Sequence, residues 1–260
     1  MNVLAFFAHP DDETMLAGGI LALLAKNGAQ VHYVSATRGE GGEMGEPPIC
    51  TREELGEVRE KELVCAVQAL KGRSLTFLGY VDPAIGPDDT LYAYTDNLTL
   101  LAGQLDASIR QFGIDVVITH GSNGEYGHPA HLLSHQAALV ALESFSVTDP
   151  KTPAPFLYTA AASFPGHPRP RLTNKDDPAD LVVDITPVRK QKEDAALCHR
   201  TQHALFVRRP SEEAGRKLAV SETILLLEGL RRVIPAGEDL SGDPLVELLE
   251  PYLWKTNAEI

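Results

Sequence analysis

The fold is decided by the stretch VLAFFAHPDDE, residues 3–13, close to the N-terminus. Residues 3–7 are apolar and partly β-branched or aromatic, which is typical of a buried parallel strand. After this stretch, apolar side chains recur at the spacing of one helical face, at Leu16, Ile20, Leu23 and Leu24. Residues 8–13 are therefore predicted to form a strand-to-helix turn. In open α/β sheets such turns lie at the carboxyl ends of strands, where ligands bind.

The sequence of this turn leaves two interpretations open. In the first, it is an ordinary acidic helix start, with Asp11 or Asp12 as the N-cap and Glu13 in the first turn, where the helix dipole favours a carboxylate. That interpretation gives no role to His9. In the second, His9 and Asp12 are close enough on a tight turn to bind one metal ion. Asp11 can then face a water molecule on that ion.

The following residues alternate between strand and helix patterns. Strands are predicted at residues 30–35, 75–78 and 114–119. Between them, Thr51 and Glu54 form a capping box that opens a helix to about Leu70, and apolar spacing predicts a second helix over residues 98–112. The alternation predicts an α/β fold with a Rossmann-like, doubly wound, mostly parallel sheet, strand order 3-2-1-4-5.

The C-terminal part of the chain has weaker patterns. Two further strands are predicted at residues 156–160 and 181–185, followed by a helix over residues 192–199. An amphipathic helix is predicted to include Val220, Ile224 and Leu227. We therefore predict one domain over residues 1–205 that carries the site, and a helical C-terminal extension, residues 206–260, packed on it.

A second polar cluster, HGSNGEYGHPAH at residues 120–131, follows the fourth predicted strand. Strands 1 and 4 are neighbours in the predicted order, so this turn would face the His9 turn across one crevice. A catalytic zinc ion takes three nitrogen or oxygen ligands from the protein and leaves one position for water. The third protein ligand beside His9 and Asp12 would be one of three histidines: His128, His131 or His135.

Composition argues against several classes of protein. The chain has 260 residues, 43% of them hydrophobic, and a formal net charge of -13, which disfavours a nucleic-acid or anionic-membrane surface. Cys50, Cys65 and Cys198 are widely separated and form no CxxC pair, so neither a disulfide framework nor a cysteine zinc site is predicted. The sequence contains no signal-peptide pattern and no apolar run of membrane-spanning length. A reducing cytoplasm is the predicted location.

Three sequence elements resemble the zinc-dependent N-acetylglucosaminyl deacetylases of the PIG-L or LmbE-like type. They are AHPDDE at residues 8–13, GHPxH at residues 127–131, and Lys192 followed by HRTQ at residues 199–202, which is similar to the family's C-terminal Lys…His-x-Ser/Thr-Gln element. The resemblance covers roughly the first 200 residues. The hexad placed directly after the first strand is its most specific part.

The resemblance implies one Zn²⁺ per chain, with His9, Asp12 and His131 as its ligands. It makes Asp11 the general base that takes a proton from the attacking water. It also makes Arg59, in the helix after the second strand's loop, a substrate-binding residue. The family fold it implies is the Rossmann-like sheet predicted above.

The resemblance also assigns roles at the second cluster. His128 would stabilise the oxyanion and act as an acid, and Tyr126 would be a mobile second hydrogen-bond donor. Three residues of the C-terminal element would be structural supports: Lys192, His199 and Gln202.

The sequence departs from the family at Ala130, where an Asp usually orients and charges the neighbouring histidine. The pKa of His128 is therefore predicted to be lower than in the family, unless an acid such as Glu125 or Asp106 takes that role.

The leading hypothesis is a hydrolase that removes an N-acetyl or other N-acyl group from a glucosamine-containing small molecule, with a homo-oligomer as a possible assembly. A close alternative is an amidase that acts on thiol S-conjugates. A nucleotide-binding Rossmann protein is a hypothesis of a different class. Such a protein would have a glycine-rich turn after the first strand, but residues 8–13 contain no glycine. A binding protein with a degenerate site would have no use for Asp11 beside Asp12.

Overall fold

The computed structural model describes residues 1–254 and contains a seven-stranded central sheet with helices packed on both faces. The strands are β1 (Asn2–Phe7), β2 (Gln30–Thr37), β3 (Ser74–Tyr80), β4 (Val116–Thr119), β5 (Phe156–Thr159), β6 (Ala162–Ser163), β7 (Asn174–Pro178), β8 (Leu181–Asp184) and β9 (Leu227–Ile234). The helices are α1 (Asp12–Lys26), α2 (Leu55–Ala69), α3 (Leu98–Phe112), α4 (Gly124–Gly127), α5 (Pro129–Thr148), α6 (Arg189–Cys198), α7 (His203–Ala214) and α8 (Pro244–Leu249). Within residues 1–254, none of the helices is long and apolar enough to cross a membrane.

The sheet order is β3-β2-β1-β4-β5-β9-β8. The first five strands are parallel to one another, which confirms the predicted Rossmann-like order 3-2-1-4-5. β9 is antiparallel to both β5 and β8. β6 and β7 form a separate two-stranded sheet.

β1 is the central strand, and its side chains divide between two hydrophobic cores. Val3, Ala5 and Phe7 pack into the core formed with α1 and α2. Leu4 and Phe6 face the opposite side and pack into the core formed with α3 and α5. A strand that is buried on both faces needs apolar residues at every position, which explains the continuous apolar run in the sequence.

The helix boundaries follow local hydrogen bonding. α3 has the predicted bounds and ends at Gly113, whose backbone has φ 57. α2 begins at Leu55, later than predicted, although Glu54 Oε2 does accept hydrogen bonds from the Thr51 backbone N–H and hydroxyl, at 3.0 and 3.1 Å. The reciprocal bond, in which the Glu54 backbone N–H would donate to Thr51 Oγ1, does not form, so the residues between Thr51 and Glu54 stay in a turn.

The helix predicted around Val220, Ile224 and Leu227 is wrong, and the C-terminal segment is not purely helical. Residues Val220–Thr223 form only a short 3₁₀ turn, and Leu227 begins β9. β9 enters the central sheet because β5 offers it an open edge. β9 also lies close to β6 at Gly229. A Cβ atom at this position would lie 2.5 Å from the Ala162 carbonyl oxygen, so the approach requires glycine.

Cys65 of α2 and Cys198 at the end of α6 form a disulfide, with their Cα atoms 5.7 Å apart. The prediction that no disulfide is present was therefore wrong. The pairing joins residues 133 positions apart, and it follows from the packing of α2 against α6. Cys50 is a free thiol. Because disulfides persist mainly in oxidising environments, the cysteines no longer support a reducing compartment.

Candidate metal centre

The turn after β1 places three acidic side chains at the carboxyl edge of the sheet. Asp11 has a left-handed backbone, with φ 107 and ψ -29, and its side chain does not cap α1. Asp12 begins α1, and its Oδ2 accepts the His9 backbone N–H at 2.9 Å. The first interpretation, in which Asp11 or Asp12 simply caps the helix, leaves the buried Asp11 carboxylate unexplained.

The Asp12 carboxylate lies between the two predicted histidine ligands. Its Oδ2 is 3.2 Å from His9 Nδ1, and its Oδ1 is 3.3 Å from His131 Nε2. All three residues are buried, with no more than 8% of their surface exposed. The structure therefore brings His9, Asp12 and His131 together, although His131 is more than a hundred residues away along the chain.

Glu125 determines which ring nitrogen of His131 is free. Its Oε2 is 2.6 Å from His131 Nδ1 and 3.1 Å from His120 Nδ1, so each Nδ1 donates a hydrogen bond to the carboxylate. His131 Nε2 then carries the lone pair and faces Asp12. His120 Nε2 accepts the Ala8 backbone N–H at 3.0 Å, so its lone pair is not available to a metal ion.

His128 and His135 are held in other ways. His128 is the N-cap of α5, and its Nδ1 accepts the Ala130 backbone N–H at 3.2 Å. In the neutral ring Nε2 therefore carries the proton, which makes it a hydrogen-bond donor and not a ligand. His135 Nδ1 lies 3.0 Å from the His120 carbonyl oxygen and donates to it.

Two groups of donor atoms are close enough together to hold a metal ion: His9 with His128 and His131, and Asp12 with His120 and His131. His131 belongs to both groups, and His9 and Asp12 belong to one each. The hydrogen bonds above occupy His120 Nε2 and His128 Nδ1. His9, Asp12 and His131 are therefore the candidate ligands, with the nitrogen and oxygen donors that a catalytic zinc ion takes. The carboxylate behind His131 is the usual support of a ligating histidine.

The carboxylates of the site favour the protonated forms of two histidines. Burial lowers the pKa of His9, but the Asp12 and Asp82 carboxylates raise it to about 9 overall. Burial also opposes the charged form of His131, but Asp12 and Glu125 raise its pKa to about 10. The buried carboxylates therefore favour positive charge at both rings, so the residues fit a divalent ion.

Asp11 and Arg59 form a buried pair beside the ligands. Arg59 Nη2 lies 3.3 Å from Asp11 Oδ2 and donates a hydrogen bond to the Pro10 carbonyl oxygen at 2.5 Å, while Nη1 donates to Gly39 O at 2.8 Å. Burial raises the pKa of Asp11 to about 6, and Arg59 opposes the rise. Arg59 is 3% exposed, and its guanidinium group contacts Asp11 and two backbone carbonyl groups rather than the open part of the site.

The pKa of His128 is lowered to about 3 by burial and by the neighbouring His131 and His9. Neither acid considered as a substitute reaches it. Glu125 binds His120 and His131, and Asp106 lies on α3, where its Oδ2 accepts from Arg110 Nε at 2.9 Å.

Tyr126 lies at the mouth of the site. Its side chain is 58% exposed, and its ring centroid is 5.8 Å from that of His128 and 5.6 Å from that of His131. Its position is compatible with a donor that moves over the ligands.

The C-terminal element supports the site from behind. Lys192 Nζ donates hydrogen bonds to the Met15 carbonyl at 3.1 Å and to Glu228 Oε1 at 2.6 Å. His199 Nε2 lies 3.1 Å from Glu13 Oε1. Gln202 Nε2 donates to the Glu43 carbonyl oxygen at 2.8 Å.

Sequence reasoning missed Asp82 as a site residue and left the partners of Glu125 unassigned. Asp82 Oδ1 lies 3.2 Å from His9 Nε2 without the alignment of a hydrogen bond, and its Oδ2 accepts the Gly41 N–H at 3.2 Å. Asp82 follows β3 by two residues, so the carboxyl-edge rule applied to the third strand would have found it.

A Rossmann-like sheet with a buried His/Asp cluster at its carboxyl edge, where donor atoms lie close enough together to hold a metal ion, defines an α/β protein with a candidate metal centre. The chain belongs to the PIG-L family: it matches the family described as "GlcNAc-PI de-N-acetylase" over residues 4–142, more than half of its length.

Two curated relatives have named activities. The chain is 30% identical to the 1D-myo-inositol 2-acetamido-2-deoxy-alpha-D-glucopyranoside deacetylase of Mycolicibacterium smegmatis, over 86% of each protein. It is 32% identical to the mycothiol S-conjugate amidase of Streptomyces coelicolor, over 57% of this chain and 54% of that protein.

Solved structures share the fold at lower sequence identity. The N,N'-diacetylchitobiose deacetylase of Pyrococcus horikoshii has a TM-score of 0.61 and 22% identity, covering 89% of this chain and 83% of that one. GalB, the 4-carboxy-2-hydroxymuconate hydratase of Pseudomonas putida, also has a TM-score of 0.61 and 22% identity, covering 92% and 98%. One fold thus serves different reactions, and the function has to be argued from the site.

Proposed function

We propose that this protein is a zinc-dependent hydrolase that removes an N-acetyl group from a glucosamine-containing small molecule. The observation that carries the proposal is the combination of three buried ligands with a separate buried carboxylate: His9, Asp12 and His131 with Asp11 beside them. A metal-binding protein without hydrolytic activity needs the ligands but has no need for Asp11.

His9, Asp12 and His131 would hold the zinc ion. When bound, zinc supplies Lewis acidity and lowers the pKa of a water ligand to about 7. Asp11 is placed to accept a proton from the attacking water, because its pKa of about 6 makes it ionised yet basic near neutral pH. Arg59 holds this carboxylate in place through Nη2.

His128 is placed to stabilise the developing oxyanion with its neutral Nε2–H, since Nδ1 is occupied by the Ala130 backbone N–H. Tyr126 can add a second donor from the mouth of the site. A neutral His128 with a pKa of about 3 is a poor proton donor. We therefore assign proton delivery to the leaving amine to Asp11, which has just taken the proton from water.

The choice between N-acetyl sugar and thiol conjugate rests on the relatives. The deacetylase match extends over 86% of this chain, whereas the amidase match covers 57%. This difference favours an N-acetylglucosamine derivative as the substrate, with amidase action on thiol S-conjugates as the second candidate. A cytoplasmic location and a homo-oligomeric assembly stay predictions.

The test is release of the free amine from a panel of N-acetylglucosaminides with different aglycones and from thiol S-conjugates, by purified protein with and without chelator, with acetate measured for the N-acetyl substrates. We expect chelator-sensitive acetate release that zinc restores. Cleavage of S-conjugates alone would move the proposal to the amidase. Hydrolysis that is unaffected by complete metal removal would contradict it.

A further inference from the structure

Asp11 is held in a backbone conformation that a non-glycine residue rarely adopts. Its φ of 107 lies in the left-handed region, where a side chain strains the backbone. The conformation persists only if surrounding groups enforce it. Because Asp11 is the proposed base, the groups that enforce it also determine where the base points.

Glu13 makes the first of these contacts. Its Oε2 accepts the Asp11 backbone N–H at 2.9 Å, so the side chain folds back over the turn. A first-turn glutamate is ordinarily exposed, but Glu13 is 2% exposed. Its other oxygen, Oε1, accepts hydrogen bonds from the Thr14 hydroxyl at 2.5 Å and from His199 Nε2 at 3.1 Å.

His199 connects this turn to a distant part of the chain. It is fully buried and is separated from Glu13 by 186 residues in sequence. Its Nε2 lies 3.1 Å from Glu13 Oε1 and 3.3 Å from Thr14 Oγ1, so one N–H faces both oxygens. Without this donor, the Glu13 carboxylate would keep only one side-chain partner.

The segment that carries His199 is itself anchored to α2. The preceding residue, Cys198, is disulfide-bonded to Cys65. The Thr201 backbone N–H and hydroxyl donate to the two oxygens of Glu62 at 2.8 and 2.6 Å. Covalent and hydrogen-bonded anchors on both sides fix the ring of His199, as a positioning group requires.

We infer that Glu13 and His199 are positioning residues for the catalytic carboxylate: His199 holds Glu13, and Glu13 holds the backbone of Asp11 in its strained conformation. The inference rests on the proposed function, in which Asp11 is the base. It assigns a mechanistic role to a residue of the C-terminal element that is outside the metal centre. A purely structural His199 would affect folding stability but would not act through Asp11.

The test compares two substitutions at His199. His199→Gln keeps an N–H donor near the position of Nε2, and His199→Leu removes it. We expect His199→Leu to lower kcat roughly 10- to 100-fold with KM and zinc content unchanged, since misplacement by about 1 Å can cost that much. His199→Gln should recover most of kcat. His32→Leu is the matched control, because His32 on β2 is also buried and is hydrogen-bonded to Ser74 Oγ of β3 at 2.8 Å.

The same substitutions in an Asp11→Asn background show whether His199 acts through Asp11. We expect His199→Leu to change kcat by less than about twofold there, because the group that it positions is gone. An independent readout is amide exchange of Asp11, followed by NMR on the zinc-loaded protein. Exchange should be faster in His199→Leu than in His199→Gln or wild type.

The outcomes separate the two proposals. If Asp11→Asn abolishes most activity but the His199→Leu loss is fully retained in that background, the positioning role is overturned and the proposed function stands. If the wild type hydrolyses no N-acyl substrate, or Asp11→Asn keeps the full rate, the proposed function fails. Asp11 amide exchange then decides whether His199 still holds the turn, and unchanged exchange in His199→Leu overturns that as well.

Discussion

We predict that Glu125→Gln weakens zinc binding roughly 10- to 100-fold, the usual cost of losing the carboxylate behind a ligating histidine. Glu125 Oε2 accepts from His131 Nδ1 at 2.6 Å and from His120 Nδ1 at 3.1 Å. Its Oε1 accepts from Gly121 N and Asn174 Nδ2, both at 3.1 Å. An amide cannot accept at both ends, so two of these four donors are left facing an NH₂ group. At 1.36 kcal/mol per tenfold change, the loss is about 1.4–2.7 kcal/mol of zinc binding.

The assay is competition for zinc between the purified protein and a chromogenic chelator at neutral pH. Glu143→Gln is the matched control, because it makes the same chemical change at an exposed position on α5. Thermal unfolding of both variants shows that they are folded. Zinc affinity within twofold of wild type for folded Glu125→Gln would refute the reasoning, because the Nδ1 hydrogen bond would then not tune His131 as a ligand.

Three further outcomes are expected. Asp11→Asn keeps zinc by metal analysis but loses about 10²- to 10⁴-fold in kcat, the usual contribution of a general base; a loss of only a few-fold would place the base elsewhere. Zinc binding at pH 7 releases protons, because neighbouring carboxylates raise the pKa of His9 to about 9 and of His131 to about 10, and the metal displaces the protons that these rings carry at that pH. Zinc affinity therefore falls as pH falls, and calorimetry in buffers of different ionisation enthalpy that finds no proton release would contradict these pKa values. Replacing Cys65 and Cys198 by Ser lowers the free energy of unfolding by about 2–4 kcal/mol, because the disulfide no longer constrains the unfolded chain; denaturant curves that coincide with wild type would rule this out.

The parts of the fold that could be predicted depend on local pattern. The apolar run of residues 3–7 marks a strand that is buried on both faces, and residues 98–112 carry a helical period that ends at a glycine. Strand order followed because parallel strands joined by helical crossovers leave few arrangements. The same rule predicted that His9 and Asp12 face the second polar cluster, but it left His128, His131 and His135 open as the third ligand, and only the family resemblance selected His131.

Other features depend on contacts between distant segments. β9 carries Glu228, Arg231 and Arg232 within a strand, so its pattern does not alternate cleanly. It could be recognised only from the buried partners of these charges, such as Lys192 for Glu228. The disulfide was missed for a related reason: sequence shows three cysteines but not that Cys65 lies across from Cys198.

The site's hydrogen-bond network was the least accessible part. His120, His128 and His131 are chemically alike in sequence, and their roles differ only through the partner of each ring nitrogen. Glu125 selects His131 by binding its Nδ1, and the Ala130 backbone N–H turns His128 into a donor. The role of each histidine depends on the positions of its hydrogen-bond partners to within about an ångström. Residue spacing along the chain carries no information at that scale.

The position of β9 has a consequence for any attempt to shorten the chain. A protein truncated after residue 205 would lose the strand that covers β5 and would leave the β5 edge free to pair with other chains. It would also lose Glu228, whose oxygens accept the Gly19 and Ile20 backbone N–H groups of α1 and pair with buried Lys192. The helix that begins at Asp12 is thus stabilised by a residue from the last part of the chain. We expect such a fragment to aggregate, so the C-terminal segment is part of the folding unit that builds the metal centre.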